Sequence, residues 1–121
     1  MEKILKTYSV ALVIVLMLTG CRATKSDVTL INESSSAIQN ATIQVNGESF
    51  ALENIAPLEK KSFSFSVTRD SDYTVKILFS GGREIFKKEL GYVTSGVDLQ
   101  DIIHVKDSDI TLETIKREFH K

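Results

Sequence analysis

A chain of 121 residues with 15 basic and 16 acidic side chains, a formal charge of −1, holds enough material for one domain and carries no basic stripe of the kind that nucleic acid requires. With one cysteine in the whole chain, it can form no internal disulfide and no thiolate metal site, and what that cysteine does becomes the question. The two histidines, His104 and His120, are too few and too far apart in sequence to suggest a metal centre.

The amino-terminal stretch is a targeting pattern rather than part of a fold. Lys3 and Lys6, partly offset by Glu2, precede an apolar run over residues 10–18. As a helix that run would reach roughly 14 Å, about half of a hydrocarbon core of about 30 Å, so a permanent membrane span is the weaker reading. It ends in Leu18-Thr19-Gly20-Cys21, an aliphatic residue, two small residues and the chain's only cysteine. This segment resembles the lipobox of bacterial lipoproteins.

That resemblance implies cleavage between Gly20 and Cys21, a diacylglycerol on the Cys21 thiol and, in many bacteria, a further acyl chain such as palmitate on the new amine. Two or more chains, at about 0.8 kcal/mol per buried methylene, make attachment effectively permanent where one chain does not. Arg22 follows the cysteine where many inner-membrane lipoproteins carry aspartate. By the same resemblance, the expected address is the cell envelope: the outer membrane facing the periplasm if there are two membranes, otherwise the outer face of the cell membrane. A tether of residues 22–26 would span at most about 17 Å, leaving residues 27–121 as the domain.

From Asp27 onward apolar residues alternate with polar ones, predicting an all-β, single small antiparallel sandwich of about seven or eight strands. Val28 and Leu30 mark one strand, and Ala41, Ile43 and Val45 the next. Asn46-Gly47 then predicts a two-residue type I′ hairpin, because that turn needs positive φ at both central positions. Val45 is thereby paired with Glu48, Ile43 with Phe50 and Ala41 with Leu52. Phe63, Phe65 and Val67 alternate among serines as a further strand.

Treating Gly81-Gly82 as a second two-residue turn pairs Ile77 with Phe86 and Tyr73 with Leu90 on the core face. It also points Lys88 inward beside Val75, a device that blunts an edge strand, with a bulge near Lys88 as an option. The same register sets Leu78 opposite Ile85 on the outer face, a candidate partner patch whose alternative is burial under the C-terminal segment. Residues 62–90 resemble the last strands of an immunoglobulin-like sandwich, with Tyr73 at the tyrosine-corner position and Val75 where the second cysteine would stand.

Residues 102–105 and 109–115 read as a last hairpin turning at Lys106-Asp107-Ser108, with a short terminal helix through Leu112, Ile115 and Phe119 as the competitor. His104 falls opposite the core. Asp98, Asp101, Asp107 and Asp109 read as turn and solvating carboxylates, with a calcium module or a metal-dependent enzyme as the alternative, although no calcium-loop spacing is present. The motifs of serine hydrolases, zinc proteases and phosphate-binding loops are absent, so no catalytic residue, metal or cofactor is expected beyond the lipid on Cys21.

The loop over residues 91–96 places Tyr92, Val93 and Thr94 between two glycines and is a candidate partner-binding loop, with capping of the core as its alternative. These features predict a non-enzymatic, membrane-anchored accessory module with an envelope protein as partner. An inhibitor or protective factor acting on an envelope hydrolase is the alternative.

Overall fold

The structure is a computed structural model, and it describes residues 24–94 and 99–116. Eight strands follow in order: β1 (Thr24–Asn32), β2 (Ile38–Val45), β3 (Glu48–Ile55), β4 (Lys60–Val67), β5 (Ser71–Phe79), β6 (Glu84–Val93), β7 (Leu99–Val105) and β8 (Ile110–Lys116). They form two four-stranded sheets, β4-β1-β7-β8 and β3-β2-β5-β6, packed as a small β-sandwich. Residues 110–116 form strand β8 rather than a helix, and Phe119 lies outside the described residues. All neighbours are antiparallel except β1 and β7, which run parallel from Ser26 beside Leu99 to Asn32 beside Val105.

Alternation explains which faces meet. Tyr73, Val75, Ile77 and Phe79 of β5 and Ile103 and Val105 of β7 are buried, as are Val28 and Leu30 of β1. Their intervening neighbours turn outward, as a period of two requires. Phe50 stacks on Phe63 with ring centroids 4.4 Å apart, closing the side between edge strands β3 and β4. Opposite, β6 approaches β8: the Lys87 ammonium lies 3.1 Å from an Asp109 carboxylate oxygen, and a Cβ at Gly91 would collide with the Leu112 side chain.

The two hairpins differ in how their registers are set. Asn46 and Gly47 have φ of 57° and 78°, and all three pairs expected across them are present: Val45 with Glu48, Ile43 with Phe50 and Ala41 with Leu52. The second hairpin has a three-residue loop of Ser80, Gly81 and Gly82, closed by Gly82 N–H donating to the Phe79 carbonyl at 2.9 Å, with Gly82 at φ 90°. One extra loop residue moves β6 by one position, and a one-residue slip exchanges faces.

Several expectations are corrected by that slip. Ile77 pairs with Ile85 rather than Phe86, and Phe86 is exposed. Lys87 rather than Lys88 stands opposite Val75, while Lys88 is exposed with its ammonium 5.6 Å from the Phe86 ring centre. Ile85 packs against the core, whereas Leu78 lies on the other face between Asn40 and Glu84. The proposed Leu78/Ile85 patch is therefore divided by its own sheet. Bulges then lengthen β6, with Glu89 at φ 53° and Gly91 at φ 68°, and the first restores the expected pairing of Tyr73 with Leu90.

Candidate functional site

The described loops gather at the two ends of the sandwich. One end, the entry end, holds the start of β1, the β2–β3 turn at Asn46-Gly47, residues 68–70 between β4 and β5, and the close of β6 and β8. The far end holds residues 33–37, 56–59, 80–83 and 106–109. With strands of eight or nine residues at about 3.3 Å each, the ends stand roughly 26 Å apart.

At the far end, fully buried Asn32 acts as a staple. Its Nδ2 donates to the carbonyls of Ser36 at 2.9 Å and Ile55 at 3.0 Å, and its Oδ1 accepts from the Ser34 N–H at 3.1 Å and the Ser34 hydroxyl at 2.6 Å. The Ser35 N–H and hydroxyl both donate to Asp107 Oδ1 at 2.8 Å, and the Arg83 guanidinium donates to the Asp107 carbonyl. The Asp107 carboxyl is thereby held below the ordinary carboxylate range, chiefly by the Ser35 backbone N–H and hydroxyl. Three of the four far-end loops are tied to one another through these contacts.

The remaining loop presents an apolar apex. Ala56, Pro57, Leu58 and Glu59 form a turn in which Glu59 N–H donates to the Ala56 carbonyl at 3.0 Å. Leu58 has φ of 69°, a left-handed conformation that ordinarily selects glycine or asparagine. Its side chain is 78% exposed. Leu58 N–H donates to the Asn32 carbonyl at 2.6 Å and Asn32 N–H to the Glu59 carbonyl at 3.1 Å, so the turn is fixed by the same asparagine. A bare leucine is held rigidly in a conformation that costs about 1–2 kcal/mol and gains no internal burial.

His104, expected on the surface, sits on the outer face of β7 between two carboxylates: Nδ1 is 3.1 Å from Glu33 Oε1 and Nε2 is 3.1 Å from Glu113 Oε1. Burial lowers its pKa, but hydrogen bonds and charge from Glu113 and Glu33 together outweigh it and raise the value above 6.5. This bridge ties the residue after β1 to β7 and β8.

Asp101 is not a solvating turn residue. It is fully buried in β7 and accepts hydrogen bonds from the Tyr73 hydroxyl, across the sandwich, and from Thr114 Oγ1 at 2.7 Å. Tyr73 therefore does not close a tyrosine corner on nearby backbone; burial first and Asp101 second push its phenol far above the ordinary range. Asp107 and Asp109 lie at the far end, separated from Asp101 by much of the length of β7, and Asp98 lies outside the described residues. Among the described residues no group of three or more His, Cys, Asp or Glu is placed to hold a metal ion.

At the entry end Asn46 is the staple. Its Nδ2 donates to the Ser66 carbonyl at 2.9 Å and to Thr68 Oγ1 at 3.1 Å, and its Oδ1 accepts from the Arg69 N–H at 3.2 Å. A shallow polar groove of about 370 Å³ opens beside it, lined in part by Gln44, Glu48, Ser71 and Asp72. Of the candidate loop residues, Val93 is buried in the core, Thr94 is half-buried, and Tyr92 is 61% exposed with its hydroxyl donating to Asp70 Oδ2 at 2.9 Å. Ser95 and Gly96 lie outside the described residues, as do Gly20 and Cys21.

The sequence matches no family model and no curated protein. Among solved structures, the chain is similar to a protein from Eubacterium rectale determined by NMR, with a TM-score of 0.56 at 18% identity, covering 79% of this chain and 93% of that one. Pneumolysin aligns over 78% of this chain but only 24% of its own length, at 13% identity and a TM-score of 0.43. The first likeness establishes the sandwich fold, and the fold alone.

Sequence reasoning gives Leu58 and Asn32 no functional role and misplaces Asp101. Pro57 before Leu58 is a turn signal, but the φ of Leu58 and its lack of cover depend on Asn32, twenty-six positions earlier in the chain.

Proposed function

We propose that this protein is a lipid-anchored envelope lipoprotein, without catalytic activity, whose sandwich serves as a binding or structural accessory module at the membrane surface. The observation that carries the reading is Leu18-Thr19-Gly20-Cys21 standing immediately ahead of a folded domain. Diacylglycerol on Cys21, with a further acyl chain on its amine, would be the attachment, and an outer membrane facing the periplasm the favoured address where two membranes exist.

The surface offered to an envelope protein partner is the far end. Preorganised loops lose little freedom on binding, and an exposed leucine on a fixed turn is suited to an apolar pocket in another protein. The candidates suggested by the sequence contribute less: Val93 and Ile85 face the core, and Leu78 stands among polar neighbours.

Cys21→Ser tests the anchor. The expected outcome is an unprocessed or mislocalised precursor with no incorporated palmitate. Equal palmitate labelling of wild type and Cys21→Ser would overturn the reading.

A further inference from the structure

We infer that the entry end of the sandwich seats on the lipid headgroups of the bilayer, with Arg69 and Tyr92 as contacts, so that the strands stand up from the membrane and carry Leu58 on the side away from it. The inference rests on the anchor reading and adds an orientation to it.

Chain length is the first argument. The strand β1 begins at Thr24, so residues 24–26, expected in the tether, belong to the fold. Only Arg22 and Ala23 separate Cys21 from the sandwich, and three residue steps reach at most about 10 Å. Lengthening the tether means unpairing the start of β1. Thr24 is paired with Val67, Lys25 with Ser66 and Ser26 with both Phe65 and Leu99, and Ser26 is fully buried.

Position is the second argument. Strand β1 lies inside its sheet, between β4 and β7. The lipid therefore hangs from inside one sheet rather than from an edge strand, and loops on both sides of β1 are drawn toward the same surface. A domain lying on the β3-β2-β5-β6 sheet would lift the origin of β1 by a further sheet spacing of about 10 Å, the whole length of the tether; the outer face of β1's own sheet, which the tether also reaches, carries Asp27 and Glu113 and no tyrosine.

Chemistry is the third. Tyr92, 61% exposed, offers an amphipathic ring of the kind that sits at headgroup depth. Exposed Arg69, held by its backbone N–H on Asn46, brings a guanidinium suited to lipid phosphate, and exposed Lys25 adds a second cation. Glu48, Asp70 and Asp72 at this end are also exposed and outnumber these two cations. The surface is accordingly fitted to a mixed bilayer rather than a densely anionic one. The far end carries exposed cations too, Lys60, Arg83 and Lys106, beside Glu59, so charge does not separate the ends; what its loops lack is a tyrosine.

The sequence contains no tryptophan, so Tyr92→Trp and Leu58→Trp each introduce a single indole. The lipidated full-length product is reconstituted in vesicles of phosphatidylethanolamine and phosphatidylglycerol carrying a headgroup spin label. With roughly 26 Å of strand between the ends, the indole of Tyr92→Trp should be quenched at least about fivefold more strongly than that of Leu58→Trp. Arg69→Trp provides a second probe of the entry end that leaves the Tyr92–Asp70 contact intact, and its indole should be quenched as strongly as that of Tyr92→Trp. Equal quenching at the two ends, or stronger quenching of Leu58→Trp, would overturn the orientation.

The anchor and the orientation fail separately. Intact mass of the native product reports whether Cys21 is acylated. Because the chain has only one cysteine, a diacyl maleimide coupled to Cys21 of the protein lacking residues 1–20 reports the orientation on the same vesicles, whatever the cell does to the thiol. Strong quenching at both ends in that preparation would reject the seated end while leaving the anchor standing.

Discussion

At the far end, Asn32 is fully buried and its amide satisfies backbone of the 33–37 loop and of the end of β3, with the exposed Leu58 turn locked against its main chain; at the entry end, Asn46 does comparable work from a hairpin turn whose exposed neighbours are Arg69 and Tyr92. The same side-chain chemistry thus stiffens two loop sets that offer different surfaces, an apolar apex on one side and an amphipathic, mixed-charge face on the other. A buried asparagine is useful here because it donates and accepts at once, and so can satisfy irregular backbone that no neighbouring strand reaches.

The largest expected effect is at Asn32. Asn32→Ala leaves the Ile55 and Ser36 carbonyls and the Ser34 N–H without that partner, and should cost about 2–4 kcal/mol in urea unfolding. Asn46→Gly, which keeps the positive φ without strain and lies at a turn nearer water, should cost about half as much. A larger loss at Asn46 would reverse the ranking of the two ends.

Next is Tyr73, whose hydroxyl joins the sheets through Asp101 near the entry end. Tyr73→Phe keeps the ring packing, including the edge contact with Phe65 at 6.4 Å, but leaves the buried Asp101 side chain with Thr114 Oγ1 as the remaining donor of the two. A loss of about 1–3 kcal/mol is expected. No change in melting would show that this cross-sheet bond is dispensable.

A smaller effect concerns His104 near the far end. Its folded-state pKa is raised above the unfolded value of 6.5, so the bridge contributes most below about that pH and its contribution fades as pH rises through the folded value. The difference in melting temperature between wild type and His104→Gln should therefore be larger at about pH 5.5 than at about pH 8. The opposite slope would reject a charged bridge between Glu33 and Glu113.

Smallest in stability, and most informative about binding, is Leu58→Gly. Relief of the left-handed backbone should offset the greater freedom of the unfolded chain, leaving stability unchanged or raised by up to about 1 kcal/mol. A fall of more than about 1 kcal/mol would mean that Leu58 is packed for the fold rather than offered to a partner.

Legibility followed the distance in sequence over which each feature is decided. Alternation made the strands visible, and Asn46-Gly47 set its own hairpin because two positive φ values within one turn determine which side chains oppose each other. The second hairpin departs from expectation because Gly81-Gly82 fits loops of two or three residues equally well. The bulges at Glu89 and Gly91 answer to partners elsewhere, among them Leu112 lying against Gly91. Asp101 looks like another turn aspartate, since nothing near it in the chain announces Tyr73 across the sandwich.

Residue order by itself therefore determined the all-β class and one hairpin register, both of them consequences of local periodicity or of a few adjacent residues. Tertiary structure alone decided the parallel seating of β1 beside β7, the burial of Asp101, and the placement of Leu58 and Tyr92 at opposite ends. Those outcomes depend on which distant strands share a sheet, and strand pairing is a collective choice of backbone hydrogen bonds and buried faces that no short segment contains.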